Sequence, residues 1–155
     1  MNTRPFEFTT DTATLCVYDL EALKHRFNDD ADWWCWPAEA QLQELNAGNA
    51  VFLDLGNDGT FRGDVSTEPL IEYRFQVLLA CPSGKLFVGA GEEATSEGME
   101  PDCTRGGIFV VVPRGISVLQ IARSSDGQLH LAVRPHDGPP RNEFTKALSF
   151  IQNAA

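Results

Sequence analysis

At 155 residues and 17.1 kDa the chain is long enough for one domain that buries its own core without staples. Hydrophobic residues make up 43%, and ten Phe with three Trp exclude a disordered chain. Twelve Lys and Arg against 22 Asp and Glu give a net charge of −10, which argues against a nucleic-acid binder, since phosphate backbones are held by Lys and Arg. The longest apolar runs are about seven to nine residues, far short of the ~20 that span a bilayer as a helix.

The opening residues, Met1 to Phe8, carry neither an apolar stretch nor a small-residue cleavage site, so a secretory signal is not expected and a cytoplasmic location is. Cys16, Cys35, Cys81 and Cys103 are spaced by 19, 46 and 22 positions. In a reducing compartment such residues read as small core side chains, and no Cys-x-x-Cys pair points to zinc.

In chain order, Arg4 to Phe8 and Thr14 to Tyr18 are short runs of β-formers. Asp19 is a cap for a short helix, with Leu20, Leu23 and Phe27 on one face. Glu21 stands in its first turn, and Lys24, His25 and Arg26 in its last, which suits the helix dipole. A second helix starts at Pro37 and stops near Asn46-Ala47-Gly48. Ala50 to Leu55 and Thr60 to Val65 flank Asn57-Asp58-Gly59, which reads as a hairpin turn. Leu70 to Leu79 and Lys85 to Val88 are strand-like around a second hairpin turn at Pro82-Ser83-Gly84. Ile108 to Val112, Ile116 to Ala122 and Gln128 to Val133 follow, the last two joined by Ser124-Ser125-Asp126-Gly127. Leu129, Leu131 and Val133 alternate with polar or small residues, which predicts one buried face. Phe144, Ala147, Leu148 and Ile151 fall at helical spacing, so a third helix is expected from Asn142 to about Gln152.

About eight strands without strand–helix alternation predict a mainly β fold: an antiparallel sandwich or open barrel with two or three short helices. The expected organisation is a β-rich acidic domain over 1–135, followed by a linker and packed C-terminal helix over 136–155.

Motifs that could carry chemistry fail on their own requirements. Gly89-Ala90-Gly91-Glu92-Glu93-Ala94 matches a dinucleotide fingerprint in spelling, but two glutamates stand where a pyrophosphate would go. Position twelve of a calcium loop starting at Asp54 is Val65, not a carboxylate. There is no nucleophile elbow and no local cysteine signature. The expectation is therefore no catalytic residue, no cofactor and no metal ligand.

Charge is uneven. Residues 1–65 hold 12 acids and 4 bases (−8), residues 66–104 hold 7 and 2 (−5), and residues 105–155 hold 3 and 6 (+3). Asp29, Asp30 and Asp32 directly precede Trp33-Trp34-Cys35-Trp36, and Glu92, Glu93, Glu97, Glu100 and Asp102 share one loop. An aromatic anchor inside an acidic rim is suited to a basic protein partner. The candidate partner-binding residues are Asp29, Asp30, Asp32, Trp34, Glu92, Glu93, Glu97 and Glu100. In size, acidity and β-rich make-up the chain resembles the immunity proteins of contact-dependent and type VI secretion toxin systems. That resemblance implies a cytoplasmic, non-enzymatic inhibitor that neutralises a cognate toxin, with no membrane or nucleic-acid partner. The other reading of the same residues is a stand-alone β-sandwich module for a ligand or glycan, calcium-linked through the acidic loop.

Overall fold

The computed structural model describes residues 3–26, 29, 33–35, 38–94 and 101–151. Among the described residues, ten strands form two five-stranded sheets packed as a sandwich. The strands are β1 (Arg4–Thr10), β2 (Thr14–Tyr18), β3 (Ala50–Asp54), β4 (Gly59–Ser66) and β5 (Phe75–Cys81), then β6 (Lys85–Ala90), β7 (Ile108–Val111), β8 (Gly115–Arg123), β9 (Leu129–His136) and β10 (Leu148–Ser149). The first sheet runs β1-β4-β9-β8-β5 and the second β10-β3-β2-β6-β7. The expected mainly β sandwich is the fold found, with no closed barrel. Most ladders are antiparallel, but β4 pairs β9 and β10 pairs β3 in parallel.

The two sheets differ in how their sequences are written. In the first, β1 alternates Phe6, Phe8 and Thr10 inward with exposed neighbours, and β4 does the same with Phe61 and Val65. That is the signature of a sheet with one wet face. In the second, β2 is buried at every position and β6 at all but Lys85. Its inner face packs Leu15, Val17, Val51, Leu53, Leu86 and Val88 into the main core. Its outer face carries Cys16, Tyr18, Phe52 and Phe87, a second apolar layer that needs its own cover.

The chain between β2 and β3 supplies part of that cover. Asp19 caps the segment as expected, its Oδ1 accepting the Glu21 amide at 3.0 Å, but Leu20–Arg26 is a 3-10 helix, not an α-helix. The same carboxylate is fully buried and accepts the Ser83 amide and hydroxyl and the Gly84 amide, which pins the turn between β5 and β6. The helix α1 (Ala38–Ala47) then packs on β3. It ends at Gly48, whose φ of +75° suits glycine. An added Cβ there would also stand 2.4 Å from the Pro140 carbonyl oxygen.

Two sequence readings are corrected here. Asn57-Asp58-Gly59 and Pro82-Ser83-Gly84 do turn the chain, but neither closes a hairpin. β3 and β5 each hand the chain to a strand of the opposite sheet. Only a strand's partners decide which sheet it joins, and local turn chemistry does not encode them. By contrast Ser124 to Gly127 does close the β8–β9 hairpin. The third helix does not form. From Asp137 the chain runs irregular and extended to Leu148–Ser149, which pairs with β3. Two asparagines hold it there. The Asn142 side chain donates to the Leu45 and Leu78 carbonyls and accepts the Leu78 amide, all within 2.9 Å. Asn46 brackets Phe144 through its amide and carbonyl. Residues 136–151 are thus built into the sandwich, with Phe144 and Phe150 packed against the main core and Leu148 within it.

Candidate functional site

β6 ends in a single 3-10 turn, Gly91–Glu93, which sends two consecutive carboxylates into different surroundings. Glu92 reaches the β1–β2 turn. It accepts the Thr10 hydroxyl at 2.7 Å, the Thr12 hydroxyl at 2.8 Å and the Asp11 amide at 2.6 Å. Arg105 completes the clasp at 3.1 Å and also meets Asp11 at 3.1 Å. Burial opposes ionisation of Glu92, but these hydrogen bonds outweigh it and hold its pKa below the ordinary carboxylate value. Glu93 is buried, with its Oε2 accepting the Arg105 amide at 3.4 Å. Its pKa is raised by burial first and by the nearby Asp102 carboxylate, with the Arg105 amide bond working the other way. Asp102 itself is exposed.

The second acid-bearing segment is organised by Arg26. Its Nε donates to Glu44 at 2.6 Å, its Nη1 to Asp29 at 3.0 Å, and its guanidinium lies 4.7 Å from the centre of a Trp33 ring. Glu44 is 2% exposed and also takes His25 Nε2 at 2.7 Å and Asn49 Nδ2 at 2.9 Å. Burial works against its charge, yet the bonds from Asn49, Arg26 and His25 win, and its pKa is lowered. Asp29 stays partly exposed, one side tied to Arg26.

The tryptophans join these two places. Trp34 stacks on Phe52 with ring centres 4.8 Å apart and planes within 6°, and Trp33 meets the same ring edge-on at 5.7 Å. Trp34 is 4% exposed, so the indole expected to anchor a partner is instead a lid on the second sheet's outer apolar layer. It reaches the turn after β6 so closely that a Cβ on Gly91 would stand 2.9 Å from its Cη2. Trp34 and the turn at 91–94, far apart in sequence, therefore lie side by side. Of the remaining candidates, Asp30, Asp32, Glu97 and Glu100 lie outside the described residues, as does Trp36.

Sequence reasoning missed one constellation. His130 Nδ1 lies 3.2 Å from Asp64 Oδ1, and its Nε2 lies 3.3 Å from the Ser124 hydroxyl. Asp64 and His130 are register partners across the parallel β4–β9 ladder, a pairing no local pattern announces. The Ser124 hydroxyl donates to Asp126, whose Oδ1 also accepts the Gln128 amide, and to the Gln128 carbonyl. Its proton is committed to the hairpin turn rather than to His130, so the trio is not arranged as an activated nucleophile.

Cys16 and Cys81 are buried thiols. Burial, then Glu93 and Glu92, push the Cys16 thiol well up. Burial, offset by a Ser117 hydrogen bond and reinforced by Asp19, pushes Cys81 up to about 11. Neither buried thiol is a nucleophile at neutral pH. Among the described residues, no three His, Cys, Asp or Glu side chains converge as metal ligands, and no helix is long and apolar enough to cross a membrane.

Residues 1–150 match a family of unknown function, DUF6386. The chain belongs to that family. No curated protein matches it. A solved structure described as "Crocagin biosynthetic gene J" superposes with a TM-score of 0.58 at 16% identity, covering 88% of this chain and 100% of that one. That likeness is one of fold.

Proposed function

We propose that this member of DUF6386 is a non-enzymatic, cytoplasmic binding protein that neutralises a basic toxin, in the manner of a type VI or contact-dependent immunity protein. The observation that carries the reading is the joining of the two acid-bearing segments at the Trp34–Gly91 contact. Asp29, Asp11 and Asp102 keep carboxylate oxygens at the surface of the described residues. A field of this sign speeds encounter with a cationic protein and sets its orientation. In this reading Trp34 gives the acidic surface its shape from below and makes no contact with the partner, and Glu92 and Glu93 belong to its frame.

The test is affinity capture from the native host, followed by binding measurements with the purified captured protein. The expected result is a basic toxin whose association slows about tenfold for the double variant Asp30→Lys, Asp32→Lys, and falls steeply with salt. Co-expression should rescue growth from that toxin. A captured protein with no basic surface, or binding indifferent to both salt and charge reversal, overturns the proposal.

A further inference from the structure

Along β1 the two sheets are stitched together over only part of their length. The Thr9 amide donates to the Arg105 carbonyl and the Gly107 amide to the Glu7 carbonyl, both at 2.8 Å, while Phe8 bridges Gly106. Toward the start of β1, the last such tie among the described residues runs from Arg4 Nη1 to the Phe109 carbonyl at 3.0 Å. Beside it the sheets part around a cleft of about 430 Å³, within the range of small-ligand sites.

This cleft opens onto the core. Val65 and Val133 line it from the first sheet, and Val110 and the following Val112 from the side of the second. The Val112 amide donates to the Gly84 carbonyl at 2.8 Å, so that wall is held by backbone bonds. Val65, Val110 and Val133 belong to the main core, and Val111, 88% exposed, carries the apolar surface outward at the mouth. In a chain of charge −10, the charge on the described lining is that of Arg4. Among the described residues no carboxylate pairs with it, and Met1 and Asn2, which precede Thr3, are not acids. The tie to Phe109 steadies the guanidinium while using only part of its donor set, and the remaining N–H groups suit a carboxylate.

We infer that this cleft is a binding site for a small aliphatic monocarboxylate. The carboxylate pairs with Arg4, and the hydrocarbon tail lies between the valines of the two sheets. One cation at the mouth sets the charge of the ligand, and burial of the tail supplies most of the affinity. The cleft lies at the end of β1 away from Thr10, which holds Glu92, so its failure would leave the proposed toxin binding untouched.

The probe is octanoate, titrated into isotope-labelled full-length protein and followed by amide chemical shifts. Octylamine, cationic at neutral pH, carries the same tail with the opposite charge, and hexanoate and butyrate shorten the tail under the same head. Octanoate should shift amides of residues 65–67, 110–112 and 133 with a Kd of about 1 mM or tighter. Each methylene removed should weaken binding about threefold, and octylamine should bind at least about tenfold more weakly than octanoate. Arg4→Gln, at an exposed position, should weaken octanoate about tenfold and leave octylamine no weaker. Because Arg4 also ties β1 to Phe109, the exposed Val111→Glu provides a second variant: an anion at the mouth should weaken octanoate and spare octylamine. No shift at about 10 mM octanoate, equal affinity for butyrate and octanoate, octylamine binding as well as octanoate, or shifts confined to other residues would each overturn the inference.

Discussion

Glu44 and Glu92 are both carboxylates drawn out of water, and the protein satisfies them with different chemistry. Glu44 sits under the 3-10 segment with the Arg26 guanidinium, the His25 ring and one amide donor, Asn49. Glu92 stands at the end of the sandwich and takes mainly neutral donors, two threonine hydroxyls and a backbone amide, with Arg105 on its outer side. The first arrangement is a buried carboxylate ringed by partly exposed partners, and the second is a hydrogen-bonded clasp with an exposed charge laid over it. An acid-rich sequence thus spends some carboxylates on holding the fold, and only the remainder face outward.

Removing the sealed member should cost most. Glu44→Ala leaves the Arg26 guanidinium, whose side chain is 18% exposed, without its nearest anion, and should lower unfolding free energy by about 3 kcal/mol in urea titrations. Glu92→Gln keeps an acceptor for the threonines but weakens charge-assisted bonds, and should cost about 1–2 kcal/mol. Salt sharpens the contrast: in about 1 M NaCl the Glu92 penalty should shrink while the Glu44 penalty persists, because exposed pairs are screened and buried ones are not. A Glu92 loss that ignores salt would mean that Arg105 contributes nothing there.

Acid separates these two from Glu93. Glu44 and Glu92 have folded-state pKa values below the ordinary glutamate value of 4.5. Their stabilisation is complete above 4.5 and is lost as pH falls through the lowered values. Each variant should therefore flatten the decline of melting temperature in acid. Glu93 runs the opposite way. Its folded-state pKa is raised above 4.5, so its contribution is complete below 4.5 and fades as pH rises through the folded value. Glu93→Gln should stabilise the protein slightly at pH 7, by less than about 1 kcal/mol, with the gain vanishing in acid. A destabilised variant at pH 7 would show that the negative charge of Glu93 is needed by Arg105.

Much of the fold was legible because strand burial is written directly in the side-chain pattern. Leu129, Leu131 and Val133 point inward as their alternation says, and Asp19 caps where its neighbours place it. Strand partnership was not legible. The turn at Asn57 to Gly59 looks the same whether it closes a hairpin or crosses between sheets, and Leu53 finds Leu148 only across 95 residues. The helical spacing of Phe144, Ala147 and Leu148 was overridden by side-chain hydrogen bonds from Asn46 and Asn142, which no periodicity reports. At the candidate site the acids were visible, but the fate of the indoles was not. The outer layer of the second sheet had to be known before Trp33 and Trp34 could be assigned to covering it.

The central position of the first sheet belongs to β9, the ninth strand made. Until it emerges from the ribosome, the β1–β4 pair and β5 have nothing to bridge them, and β4 presents an open edge. Assembly of that sheet must wait for most of the chain. Refolding should therefore be slow for a domain of this size, with the open β4 edge exposed to aggregation until β9 pairs with it. Truncated chains ending before Leu129 should collect as insoluble material instead of folding as a smaller sandwich.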